Sequence, residues 1–108
     1  MQRVSKIHLI GVGGAGMCGI AEILYNLGYE VSGSDIKSTK TIERLQKIGV
    51  KTYVRHDKKH VDKKDLVIVS AAIPSDNVEL IESKKRKIPI MKRAEMLAEL
   101  MRLRFGIA

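Results

Sequence analysis

Six residues closing the first apolar run, Gly11-Val12-Gly13-Gly14-Ala15-Gly16, restrict what this chain can fold into more than any other feature. They follow a strand-like stretch, Lys6 to Ile10, and open a helical period. Met17, Ile20, Ala21, Leu24 and Leu27 recur at i, i+3, i+4, i+7 and i+10, and Gly28 stops the helix. The glycines fit G-x-G-x-x-G at Gly11, Gly13 and Gly16. Gly11 permits a tight turn out of the strand, Gly13 lets backbone approach a diphosphate, and Gly16 lets the helix pack close to a sheet. The helix N-terminus behind them offers unpaired N–H groups and about half a positive charge. Asp35 lies 19 residues past Gly16, at the end of the next strand, where an acid can accept hydrogen bonds from a ribose. Two plainer readings stand beside these: a glycine turn that only packs strand on helix, and an Asp35 that caps the turn at Ile36-Lys37-Ser38.

The rest of the chain repeats the strand–helix alternation. Tyr29 to Gly33 reads as a second strand. Ile42, Leu45 and Ile48 mark a helix ended by Gly49, and Val50 to Val54 a third strand. Residues 55–64 are polar and basic, a loop or a single helical turn. Leu66 to Val69 is apolar at every position, as a strand covered on both faces must be. Val78 to about Arg86 is a third helix, and Ile88 to Met91 a fifth strand carrying Pro89. Arg93 to Leu103 is the last helix, with Ala94, Leu97, Ala98 and Met101 on one face and an apolar stripe widened by Met96, Leu100 and Leu103. The expected architecture is α/β: a Rossmann-like three-layer sandwich with a five-stranded parallel sheet of order 3-2-1-4-5, helices on both faces, and a crevice between strands 1 and 4. Residues 1–104 are expected to form this domain. Phe105-Gly106-Ile107-Ala108 reads as the start of a following one.

Charge and composition exclude several alternatives. The 20 basic and 12 acidic residues leave a net charge of +8. The few aromatics, Tyr25, Tyr29, Tyr53 and Phe105, stand outside the basic runs, so a stacking platform for nucleic acid is not expected. No apolar run approaches the ~18 residues of a membrane span, and the N-terminus lacks the pattern of a signal peptide. Cys18 alone cannot form an internal disulfide, which suits a reducing cytoplasm; it reads as a small buried hydrophobe or a thiol at a helix N-terminus. No catalytic constellation and no G-x-x-x-x-G-K-[ST] loop is present. His56 and His60 have i, i+4 spacing but make a poor metal pair, because a site needs three or four ligands. His8 reads as a packed or hydrogen-bonded strand residue.

The stretch from His8 to Leu24, with Val31-Ser32-Gly33-Ser34-Asp35, Ser70-Ala71-Ala72-Ile73 and Arg93-Ala94-Glu95-Met96-Leu97-Ala98-Glu99-Leu100-Met101, resembles the N-terminal domain of the Mur ligase family of bacterial peptidoglycan synthesis. The resemblance covers essentially the whole chain. It implies binding of the UDP part of UDP-N-acetylmuramate. In the family, a central domain brings ATP and Mg²⁺, a C-terminal domain helps bind the amino acid, and the muramoyl carboxylate is activated as an acyl phosphate that L-alanine attacks. On that resemblance the fragment binds no cofactor itself and is inactive alone. The diphosphate falls to Gly11, Gly13, Gly14, Ala15, Gly16 and Met17. Ser34 and Asp35 match the segment beside the uridine, and Ser70, Ala71 and Ile73 the loop after strand 4. His56 matches a histidine that follows glycine in many relatives, where Arg55 stands here. Cys18 and Ala71 stand where serines are common. The competing reading is an NAD-binding regulatory domain of the same fold; a basic RNA-binding domain is disfavoured.

Overall fold

Alternate residues of the first strand face opposite sides of the sheet, and the two sides are built differently. A computed structural model describes residues 4–14, 16–37 and 39–104, the last two without their side chains. Strand β1 (Lys6–Ile10) leads through the glycine turn into α1 (Met17–Asn26), followed by β2 (Glu30–Ser34), α2 (Lys40–Ile48) and β3 (Lys51–Tyr53). A 3-10 turn (Lys58–Val61) leads to β4 (Leu66–Val69), α3 (Val78–Lys85), β5 (Ile90–Lys92) and α4 (Arg93–Arg104). All strand pairs are parallel, in the order β3-β2-β1-β4-β5. This is the Rossmann-like sheet expected from the alternation. The polar 55–64 segment resolves as the single helical turn, and Pro89 stays outside β5 while its carbonyl accepts from the Val67 N–H.

Ile7 and Leu9 of β1, Val31 of β2 and Leu66 and Ile68 of β4 join Ile20, Leu24, Ile42, Leu45, Met96 and Leu100 in the larger core. On the other side, Ile10, Val67, Val61 and Leu80 form a small apolar cluster under the 3-10 turn and α3. The buried neighbours on that side include His8, Ser32, Ser34, Glu79 and Ser83. One sheet face is therefore oily and the other carries a polar network.

The last helix corrects a sequence expectation. Its inward face is Met96 and Leu100, while Ala94, Leu97, Ala98 and Met101 are exposed. Its apolar residues are spread around the helix and interrupted by Arg93, Glu95, Glu99 and Arg102, so periodicity could not choose a side. Its direct exit from β5 at Lys92–Arg93 sets its roll and brings the Arg93 side chain over Gly16. Leu27, expected on the buried face of α1, is the C-cap residue and is exposed.

The glycine turn crosses the end of β2, and the crossing depends on Gly33. The Gly11 and Val12 N–H groups both donate to the Ser34 carbonyl, at 2.8 and 3.0 Å. A Cβ on Gly33 would lie 2.5–2.8 Å from Cβ and both γ-carbons of buried Val12. Gly33→Ala is therefore expected to destabilise the domain by about 1–3 kcal/mol through overpacking. Thermal melting should show a drop of several degrees, and an unchanged midpoint would mean that the turn can lift off β2 without cost.

Candidate functional site

A cleft of about 520 Å³ opens at the C-terminal ends of β1 and β4, the switch point where ligands bind in open parallel sheets. Gly11, Gly13 and Gly14 line it from the first turn. Asp35, Ile36, Lys37 and Thr39 line it from the loop after β2, and His56 from the loop after β3. Ser70, Ala72, Ile73, Pro74 and Asn77 close it after β4. Gly11 has φ +84° and Gly16 +82°, so both glycines satisfy a real backbone demand. A Cβ on Gly11 would also press on Ser70 and Ile73 at 3.1 Å.

Asp35 is tied to the turn it was expected to complement. Its Oδ2 accepts from the Gly13 N–H at 2.9 Å, and its Oδ1 from the Ile36 N–H at 2.7 Å. The capping and cleft-lining readings of this acid thus describe one carboxylate. The Gly13 N–H is spent on Asp35, and the Gly14 N–H donates to the Gly11 carbonyl. The Met17 N–H donates to the Gly14 carbonyl, so among the described residues the Gly16 and Cys18 N–H groups are left as donors for an anion. Gly16 is the N-cap of α1 and supplies no side-chain cap.

Behind the cleft lies a closed network around Glu79, whose side chain is fully buried. Asn77 caps α3, its side-chain oxygen accepting from the Glu79 and Leu80 N–H groups, and so sets Glu79 in the helix's first turn. Glu79 Oε1 accepts from His8 Nε2 at 2.7 Å and from the Ser34 hydroxyl at 2.6 Å. Oε2 accepts from His60 Nδ1 at 2.6 Å and the Asp57 N–H at 3.0 Å. Ser34 Oγ in turn lies 3.0 Å from His56 Nδ1, and the Ser32 hydroxyl 2.8 Å from His8 Nδ1. Tyr53 stacks on His60 with ring centroids 3.8 Å apart. Burial pushes the Glu79 carboxyl up, but the hydrogen bond and charge of His8 and the hydrogen bonds of Ser34 and His60 outweigh it and hold the group at about 2. Burial lowers the His8 pKa against the opposing pull of the neighbouring carboxylate.

His8, His60 and Glu79 have ligand atoms close enough to gather a metal ion. Both carboxylate oxygens already accept protein donors, and among the described residues no buried side-chain polar atom lacks a partner. Hydrogen bonding accounts for the cluster without a cation. The i, i+4 pair His56 and His60 does converge, on a glutamate about twenty residues further along the chain.

Of the residues singled out from sequence, Gly11, Gly13, Gly14, Asp35, His56, Ser70 and Ile73 line the cleft. Gly16, the N-cap of α1, is not among the lining residues. Met17 is buried in the core and Ala71 is exposed outside the lining. The Ser34 side chain turns away into the Glu79 network, leaving its carbonyl to anchor the turn. Ala15 lies outside the described residues, as do residues 105–108, where the start of a following domain was expected. Cys18 is half-buried against the core. Sequence reading missed Lys37, Thr39 and Asn77, which line the cleft, and Arg93, whose Cδ and Nη1 would lie 3.1 and 3.2 Å from a Cβ on Gly16. Lys37 and Thr39 lie two and four residues after Asp35, a proximity that could have flagged them. Arg93 carried no local signal.

A parallel sheet of this order, a glycine turn leading into α1, and an acid at the end of β2 bound to that turn define the Rossmann-like class of α/β domains. Residues 6–105 match the Mur ligase family, catalytic domain. The chain belongs to that family. It is 54% identical over 105 residues to the UDP-N-acetylmuramate--L-alanine ligase of Paracidovorax citrulli, an alignment covering 97% of this chain and 22% of that protein. The crystal structure of UDP-N-acetylmuramate-alanine ligase from Thermotoga maritima superposes with a TM-score of 0.86 at 32% identity, over 90% of this chain and 23% of that one. The UDP-N-acetylmuramate:L-alanyl-gamma-D-glutamyl-meso-diaminopimelate ligase from Neisseria meningitides follows at 0.81 and 27%, over 89% of this chain and 31% of that one. The chain thus spans less than a quarter of the first two proteins. Among the described residues, no helix is long and apolar enough to cross a membrane.

Proposed function

We propose that this domain binds the UDP part of UDP-N-acetylmuramate, and that the whole protein joins L-alanine to that substrate at the expense of ATP. The observation that carries the reading is the hydrogen bond between two cleft-lining residues, Asp35 and Gly13. It supports the reading by joining a carboxylate, which could serve a nucleoside, to a glycine turn and helix N-terminus suited to a diphosphate. The 54% identity to a ligase of that name supports the substrate class. In this reading the diphosphate meets the Gly16 N–H and the first turn of α1. Asp35 accepts from ribose hydroxyls or the base, and His56 and Ile73 border the nucleoside. The domain's share is binding and orientation. These 108 residues hold no lysine-bearing phosphate loop, so ATP and Mg²⁺ fall to other parts of the protein.

The test is titration of the domain with UDP-N-acetylmuramate, UDP-N-acetylglucosamine and NAD, followed by amide chemical shifts. Shifts at Gly11–Gly16, Asp35 and His56 with the UDP-sugars, and none with NAD, are expected. Tighter binding of NAD would replace this reading with that of a dinucleotide sensor. Asp35→Ala should weaken UDP-sugar binding by about 1.5–3 kcal/mol, the range for a hydrogen bond to a charged group. It should also release the Gly13 N–H and lower the melting temperature. If melting falls and affinity holds, Asp35 is a cap alone.

A further inference from the structure

His56 meets the cleft through a ring whose other edge is fastened to buried groups. Its Nδ1 lies 3.0 Å from Ser34 Oγ and 3.5 Å from Glu79 Oε2. Proton accounting along this chain of contacts has one solution. The Glu79 carboxylate takes hydrogen bonds from His8, His60, Ser34 and the Asp57 backbone, so it acts only as an acceptor. The 2.6 Å contact from Ser34 therefore spends that hydroxyl's single proton on Glu79. Ser34 Oγ has only lone pairs left, and His56 Nδ1 must donate to it. A singly protonated ring held this way keeps its proton on Nδ1 and a bare lone pair on Nε2. The ring lines the cleft and is 14% exposed, with Nε2 on the side of the ring away from the Nδ1 contacts.

We propose that Glu79, which touches no ligand, is a positioning residue for nucleotide recognition. Acting through Ser34, it fixes the tautomer of His56 so that Nε2 accepts a hydrogen bond from an N–H or O–H donor on the bound nucleoside. A neutral imidazole free in water carries its proton on either nitrogen, and the wrong tautomer would set two donors against each other. The relay removes that ambiguity before the ligand arrives. It also sets a chemical requirement: the nucleoside edge at His56 must present a donor. The imide N–H of uracil meets it, and the ring nitrogen at the same position of cytosine, a bare acceptor, does not. The proposal rests on the reading that a UDP-sugar occupies this cleft.

The experiment is ¹⁵N spectroscopy of the histidine rings in the 108-residue chain, since protonated and bare ring nitrogens have well-separated shifts, combined with calorimetry using UDP and CDP. Without ligand, His56 is expected to show protonated Nδ1 and bare Nε2, with the Nε2 resonance moving on addition of UDP. Ser34→Ala should scramble the tautomer and weaken UDP binding roughly tenfold, the worth of one hydrogen bond to a neutral partner. Ser34→Thr, which keeps the hydroxyl, should restore both. UDP should bind more tightly than CDP to the parent, and the preference should shrink in Ser34→Ala. A parent His56 with its proton on Nε2, or a Ser34→Ala chain with the parent's tautomer and affinity, overturns the proposal. Failure of the parent to bind UDP at all, with the tautomer as expected, would instead overturn the assignment of the cleft.

Discussion

Glu79→Ala is expected to cost about 3–5 kcal/mol of stability, the range for breaking a buried, hydrogen-bonded ionic network from one side. The substitution would strand the donors of His8, Ser34, His60 and the Asp57 backbone in a space closed to water. A domain of this size has only about 5–15 kcal/mol in total, so the variant should be close to unfolding at 37 °C. Glu79→Gln keeps the shape and should remain measurable. Urea titrations of the parent and the Gln variant between pH 8 and pH 2 check the electrostatic part. The carboxyl titrates near 4.5 when free and at about 2 when folded. Its depressed pKa therefore stabilises the fold fully above about pH 4.5, and the contribution is lost as pH falls toward 2. Roughly 3 kcal/mol should disappear over that window in the parent. His8 adds to the same slope earlier. Burial holds its pKa in the fold below the ordinary 6.5, so the unfolded chain takes up the proton first and stability falls as pH drops below that value. The Gln variant should keep the His8 part and lack the step below 4.5. Equal acid slopes in both proteins would mean that Glu79 is not ionised in the native state.

The second large effect is expected at Gly13, on binding. Gly13→Val places a Cβ 2.8 Å from Asp35 Oδ2 and 3.4 Å from Ile42 Cδ1. The branched side chain would push the carboxylate off the Gly13 N–H and fill the floor of the cleft. We expect a loss of about a hundredfold or more in UDP-sugar affinity, while amide spectra still show the folded sheet. The fold should survive because Gly13 is half-exposed and has no positive φ. If the variant titrated like the parent, the diphosphate would have to lie elsewhere than along the glycine turn.

Much of this architecture was decided locally, and local signals are legible. Parallel strands need crossovers, and the alternation of short apolar runs with 3.6-residue periods left little choice but a doubly wound sheet. Gly11 and Gly16 announced the turn because only glycine adopts their positive φ without strain. Asp35 followed from its distance to that turn.

What stayed hidden depends on which faces meet. His8 and Glu79 are 71 residues apart, and nothing near either one shows that the unused face of β1 will lie under the first turn of α3. The same geometry turned the Ser34 hydroxyl away from the cleft and toward Glu79, though its neighbour Asp35 lines the cleft; successive side chains of a strand point to opposite faces. It also seated α4 on Met96 and Leu100 when Leu97 and Met101 had an equal claim by composition. The sequence by itself determined the order and type of the elements and the position of the glycine turn, because backbone dihedrals and apolar periodicity act over a few residues. The histidine–glutamate network, the roll of α4 and the approach of Arg93 to Gly16 were settled only by tertiary packing, which joins side chains from distant segments and leaves no mark on the residues beside them.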